Sequence, residues 1–135
     1  MISKFRVWLP DPEVERMLRV KALVFENDKT RCVCGYAYDF YLEDEDAIIM
    51  QSTGLRDKNG KEIFEGDIVT DGEFARIVQY HQSLGFYMFD EEGNERFFSD
   101  SATLEDFEEY AKIVSEILEI IGNVYENPEL LEVTE

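Results

Sequence analysis

The run Ser52-Thr53-Gly54-Leu55-Arg56-Asp57-Lys58-Asn59-Gly60-Lys61-Glu62-Ile63-Phe64-Glu65-Gly66-Asp67-Ile68-Val69 decides how this chain folds. Asn59-Gly60 supplies the positive φ that a tight turn needs, and Gly66 supplies a second turn just ahead of Asp67. Two turns this close, on either side of Ile63 and Phe64, fold the chain back on itself and predict antiparallel pairing. Gly60 and Gly66 are also a weak candidate for a phosphate cradle. No helix is expected directly after them, however, and the Walker pattern is absent.

Working outward, Ala47 to Met50 reads as a short apolar strand leading into this run. Phe74 to Tyr80, Leu84 to Asp90 and Glu95 to Phe98 read as three strands with turns at Asp71-Gly72 and Glu91-Glu92-Gly93-Asn94, a meander suited to a small barrel or curled sheet. Ser101 or Thr103 is placed to cap a helix whose acidic first turns suit the dipole. Leu104, Phe107, Ala111 and Val114 recur at helical spacing, so a helix is expected from about Thr103 to Ser115 and a closing strand from about Leu118 to Tyr125. Asn127-Pro128 opens a C-terminal arm, 126–135, that tucks Leu130 and Leu131 against the body or a neighbour.

At the other end, Lys4-Phe5-Arg6-Val7-Trp8-Leu9 alternates charged and apolar residues as a strand with one buried face does, with Trp8 as an anchor. A helical turn is expected over Glu13 to Leu18. Arg19 to Glu26 reads as a strand buried on both faces or at an interface, and Thr30 to Leu42 as its partner in an N-terminal hairpin, 19–42, that protrudes. Glu43-Asp44-Glu45-Asp46 reads as a solvated acidic loop; it lacks the glycine and terminal glutamate of an EF-hand. The expected fold is α+β, mainly β: a single domain, 1–135, with a small antiparallel curled sheet or barrel, one amphipathic helix and the N-terminal hairpin.

Composition narrows the function classes. The chain has 135 residues, 31 acids against 13 bases and a formal charge of -18, so its surface repels phosphate backbones and anionic lipid, and nucleic acid is an unfavoured partner. Ten Phe and seven Tyr provide enough large apolar surface for a core, which argues against disorder. No apolar run approaches the roughly 20 residues of a membrane span, and Met1 to Arg6 lacks a secretory core, so a cytoplasmic location is expected. Cys32 and Cys34, two residues apart on an expected strand, share a face; as a pair they are too few ligands for zinc, and reduced packed thiols are expected.

Candidate chemistry is sparse. His81 is the only histidine, so any Ser-His or Cys-His mechanism must use it, yet it falls in an expected hairpin turn. Asp67 is the most interesting carboxylate, either as a base in a cleft or as an acceptor for backbone N–H groups. Glu65, Asp67 and Glu126 would form a metal-binding cluster if the tail folded back over the Gly66 turn. Arg6, Arg76 and Arg96 are isolated cations among acids. Phe86, Tyr87 and Phe89 are expected to pack in the core, because Asp90, Glu91 and Glu92 beside them would repel a nucleic-acid strand. No catalytic residue, metal ligand or cofactor is assigned.

Three segments together resemble the YopX family: Lys4 to Trp8, the run Thr53 to Val69, and Ile121-Gly122-Asn123-Val124-Tyr125-Glu126-Asn127-Pro128-Glu129-Leu130-Leu131. One departure is Leu9-Pro10, which stands between Trp8 and Asp11 where family members commonly carry an acid directly after the Trp. The resemblance implies a bacteriophage or prophage origin and a β-rich fold with added helix, and it implies no settled activity. Its recurrent positions, Trp8, Gly54, Asn59, Gly60, Gly66, Asp67, Gly122, Asn123, Tyr125, Asn127 and Pro128, read as fold-determining. The expected role is an accessory protein acting through contacts with a phage or host protein, or with copies of itself through aromatics of the Val33 to Tyr41 hairpin. A small carboxylate- or metal-dependent enzyme is one alternative, and a nucleic-acid binder or acidic nucleic-acid mimic is another.

Overall fold

The structure is a computed structural model that describes residues 4–35, 38–82, 85–89, 92–97 and 104–132. Its packing divides into two compact units, Met1–Gln51 and Ser52–Glu135. Both are built mainly from antiparallel strands, and the fold is α+β, mainly β.

In the first unit β1 (Phe5–Leu9) lies between β2 (Arg16–Arg19) and the start of β6 (Ile48–Arg56), with Trp8 opposite Met17 on one side and Ile48 on the other. Alternation suggests one buried face, but Val7, Trp8 and Leu9 are all buried, together with Met50, so this central strand is covered on both. The expected helical turn over Glu13 to Leu18 is instead a tight turn followed by β2. The Asp11 carbonyl accepts from Val14 and Glu15 N–H at 2.8 Å each, its carboxylate accepts from Glu13 N–H, and Glu15 at φ 37° turns the chain out of the helical direction.

The hairpin of β3 (Ala22–Phe25) and β4 (Thr30–Gly35) forms as expected and gains a third strand, β5 (Tyr38–Tyr41), giving the order β3-β4-β5. β3 is not buried on both faces: it begins at Ala22, and its last residue, Phe25, is 80% exposed. The acidic block is not a loop. Leu42–Glu45 form a single helical turn, α1, in which Glu43 accepts from Thr30 N–H and Asp44 pairs with Lys29 at 2.9 Å, so two of its four acids have local partners.

Cys32 and Cys34 share a face with sulfurs 3.6 Å apart, and both are free thiols. Burial, with the hydrogen bond to Cys34 adding to it, pushes the Cys32 thiol up to about 12; burial raises Cys34 as well. An unfolded thiol titrates near about 8.5. Their contribution to stability is therefore complete below that pH and is lost as pH rises toward the folded values. Iodoacetamide at pH 8 is expected to modify half-buried Cys34 slowly and fully buried Cys32 only after denaturation. Two fast-reacting thiols in the native protein would contradict this packing.

In the second unit the end of β6 pairs with β7 (Glu62–Phe64). β8 (Asp67–Thr70) lies between β9 (Ala75–Ile77) and β13 (Glu119–Asn123), and β10 (Gln79–His81), β11 (Gly85–Phe89) and β12 (Glu95–Phe97) form the expected meander. The expected strand from Phe74 to Tyr80 is split at Val78. That residue leaves the ladder to donate N–H to Asp67 O and to accept from Gly66 N–H.

Helix α2 (Leu104–Ile117) ends two residues beyond its expected limit; its expected cap residues, Ser101 and Thr103, lie outside the described residues. Val114 and Leu118 bury against Leu55, Ile63, Val69, Val78 and Met88, with Phe86, Tyr110, Ala111 and Ile120 at the margin. The arm ends in a short helix, α3 (Glu129–Glu132), with Leu130 half-buried; the side chain of Leu131 lies outside the described set.

Candidate functional site

Two turns in the second unit are tied to distant strands, the first by a buried carboxylate and the second by backbone bonds. At the first, Gly60 takes φ 81°, and Asp57 Oδ1 accepts from Asn59 N–H at 2.9 Å and Lys61 N–H at 2.8 Å. Asp57 Oδ2 accepts from Ile120 N–H at 3.0 Å, tying this turn to β13. Lys58 N–H adds a bond to Leu118 O at the helix exit, and Asn59 Nδ2 reaches Glu119. Burial by itself would raise the Asp57 carboxyl; the N–H groups of Ile120, Lys61 and Asn59, aided by the Lys61 charge, more than offset it and hold the pKa below the usual range.

At the second turn Gly66 takes φ 87° and Asp67 Oδ2 accepts from Phe64 N–H at 2.8 Å. Asp67 is 2% exposed and turned into its own turn, which makes it a structural acceptor rather than a base open to a cleft. Gly66 joins three segments, donating to Val78 O at 2.7 Å and accepting from Val124 N–H at 2.9 Å. Asn123 organises the third turn: its Oδ1 accepts from Tyr125 and Glu126 N–H, and its Nδ2 donates to Glu126. Asn127 Oδ1 accepts from Asn123 N–H at 3.2 Å and stands against Gly122, while Pro128 precedes α3, where no N–H is required.

These contacts leave an open groove of about 330 Å³ lined by Glu65, Gly66, Ile77, Val78, Gln79, Tyr80, Val124 and Tyr125. Its functional groups are one carboxylate, one amide and two phenols. It can hydrogen-bond a small polar group, but it presents no paired nucleophile and base. The cluster of Glu65, Asp67 and Glu126 does not form: Asp67 faces Phe64, Glu126 faces Asn123, and among the described residues no three His, Cys, Asp or Glu side chains are grouped to hold a metal ion. His81 ends β10 as an exposed residue opposite Gly85 and does not line the groove.

The remaining sequence candidates are distributed. Gly54 takes φ 81° in an irregular part of β6, and Trp8 is in the core of the first unit. Phe86 packs against the core as expected, whereas Tyr87, half-buried on the other face of β11, packs against Phe89 and Phe97, and Phe89 is 41% exposed. Arg76 pairs with Asp71 at 3.3 Å. Of the aromatics expected to be exposed on that hairpin, Tyr36 lies outside the described residues and Tyr38, Phe40 and Tyr41 are half-buried, whereas Phe25 on the neighbouring strand is exposed. Asp57 is the key residue that sequence reasoning missed. Asp57-Lys58-Asn59-Gly60 has the pattern of an aspartate capping its own turn, which signals one of its two roles.

The family model of the YopX protein matches residues 4–132. The chain belongs to the YopX family. This YopX chain is also similar to protein EF1440 from Enterococcus faecalis, whose crystal structure superposes with a TM-score of 0.58 at 25% sequence identity, over 97% of this chain and 99% of that one. No curated protein matches it. Among the described residues no helix is long and apolar enough to cross a membrane.

Proposed function

We propose that this YopX protein is a phage- or prophage-encoded accessory protein of the bacterial cytoplasm that acts by binding protein, itself included, and not by catalysis. The observation that carries this reading is the use made of the family's polar motif residues. Asp67 and Asn123, like Asp57, are buried and bonded to backbone N–H groups of their own turns, so these polar side chains build a scaffold. Large apolar side chains face outward in both units, and among the described residues Phe25 of the first unit is the most exposed. Membership of a phage-associated family supports the origin.

Light scattering coupled to size exclusion tests self-association. At a charge of -18, copies repel at low salt, so an oligomer is expected to be fuller at about 1 M than at about 0.15 M salt, where the Debye length is about 3 Å and about 8 Å respectively. Phe25→Asp is expected to return it to monomer. A monomer at both salt concentrations would remove self-association from the reading.

A further inference from the structure

We infer that the flank of α2 bearing Ile113 and Ile117 is a docking surface for a basic amphipathic helix of a partner protein. The inference rests on the protein-binding reading above and specifies its surface and partner chemistry. Val114 and Leu118 face the core of the second unit, with Tyr110 and Ala111 beside them. At about 100° per residue, Ile113 and Ile117 fall together one turn apart on the side of the helix, outside that stripe. They are 46% and 48% exposed.

Neither solvation nor helix propensity favours isoleucine at an exposed helical position, where Lys, Glu or Gln would serve better. A pair at i, i+4 is the anchor spacing by which one helix receives another. Exposed Glu109 and Glu116 border the pair on its outer side, with exposed Glu108 beyond, and no base lies in the last turn. Lys112, the one base of this helix, lies between Glu116 and Glu108 around the helix and one turn from each, so the carboxylates that face the pair directly are those of Glu109 and Glu116.

An apolar pair edged by carboxylates, near the negative end of a helix dipole, selects an occupant that is apolar on one face and cationic at its margins. A second copy of this chain is a poor fit, because it would bring the same acidic helix to an acidic edge.

The test is fluorescence anisotropy with a labelled designed peptide of about 18 residues, made of Leu and Lys with the leucines on one helical face, against a peptide of the same composition whose leucines are scattered. The amphipathic peptide is expected to bind about tenfold more tightly than the scattered one. Ile113→Gln with Ile117→Gln is expected to abolish that preference while leaving the circular dichroism and unfolding midpoint in place. Glu109→Lys with Glu116→Lys should weaken binding of both peptides and flatten its salt dependence. Equal binding of the two peptides, or a preference that survives the isoleucine changes, overturns the proposal. An oligomer lost in Phe25→Asp together with equal peptide binding would retire the α2 surface alone. A monomer with selective, isoleucine-dependent peptide binding would retire self-association alone.

Discussion

Asp57→Ala is expected to lower the unfolding free energy by about 3 kcal/mol, among the larger losses a single polar substitution can cause. The carboxylate accepts from three backbone N–H groups while 2% exposed. Asn59 and Lys61 are exposed residues whose N–H groups water can reach after the change. Ile120 N–H is in the margin of the core and cannot be rehydrated as easily, so most of the cost falls there. Asp57→Asn keeps one oxygen acceptor and replaces the other with a donor, so it should fall between wild type and alanine.

The same residue sets a pH dependence. Its folded pKa lies below the unfolded value, about 3.9, so its stabilisation is complete above that pH and is lost as pH falls through the folded pKa. Guanidinium unfolding followed by circular dichroism at pH 7 and at pH 3 measures both effects. The penalty of Asp57→Ala should shrink at the lower pH; an equal penalty at both would mean that the charge plays no part.

Asp57 also marks where sequence reading stops. Its bonds to Asn59 and Lys61 are local, and Asp-Lys-Asn-Gly announces them. Its bond to Ile120 spans 63 residues, and nothing in either segment specifies the other. The same division runs through the whole fold. Gly60 and Gly66 were legible as turns because a positive φ is a demand on one residue, and both take it. Helix α2 and β13 were legible because residues 117–124 are rich in β-branched side chains and include Gly122-Asn123, although the helical apolar stripe by itself runs on through Leu118 and Ile121. The strand Arg16–Arg19 was not, because four residues flanked by charge carry too little periodicity, and pairing with β1 overrides the local helical tendency. Nor was the break at Val78, which exists because Gly66 and Asp67 take its backbone groups. For the site, the turns at Gly60 and Gly66 were legible, whereas the reach of Asp57, the turn built on Asn123 and the mutual satisfaction that, among the described residues, leaves no group of carboxylates to hold a metal were properties of the packed turns.

Gly122→Ala is expected to cost about 2 kcal/mol, for a reason different from that at Gly60 or Gly66. Those two need a positive φ, while Gly122 needs space. A Cβ there would lie 2.5 Å from Asn127 Oδ1, 2.8 Å from its Cγ and 2.9 Å from its Cβ. Swinging the amide away would relieve the first two contacts but break the bond from Asn123 N–H, and the contact with Cβ would remain unless the backbone moved. Asn127→Ala removes Oδ1 and Cγ in advance. In that background the added cost of Gly122→Ala should fall by about half, giving a coupling of about 1 kcal/mol in a double-mutant cycle. Strict additivity would mean that the two residues do not meet as described. The change should also reach the groove. Val124 and Tyr125 follow directly on this turn, and Val124 N–H is held by Gly66 O, so its amide exchange is expected to speed up in Gly122→Ala while that of Gly66, anchored on Val78, is affected less.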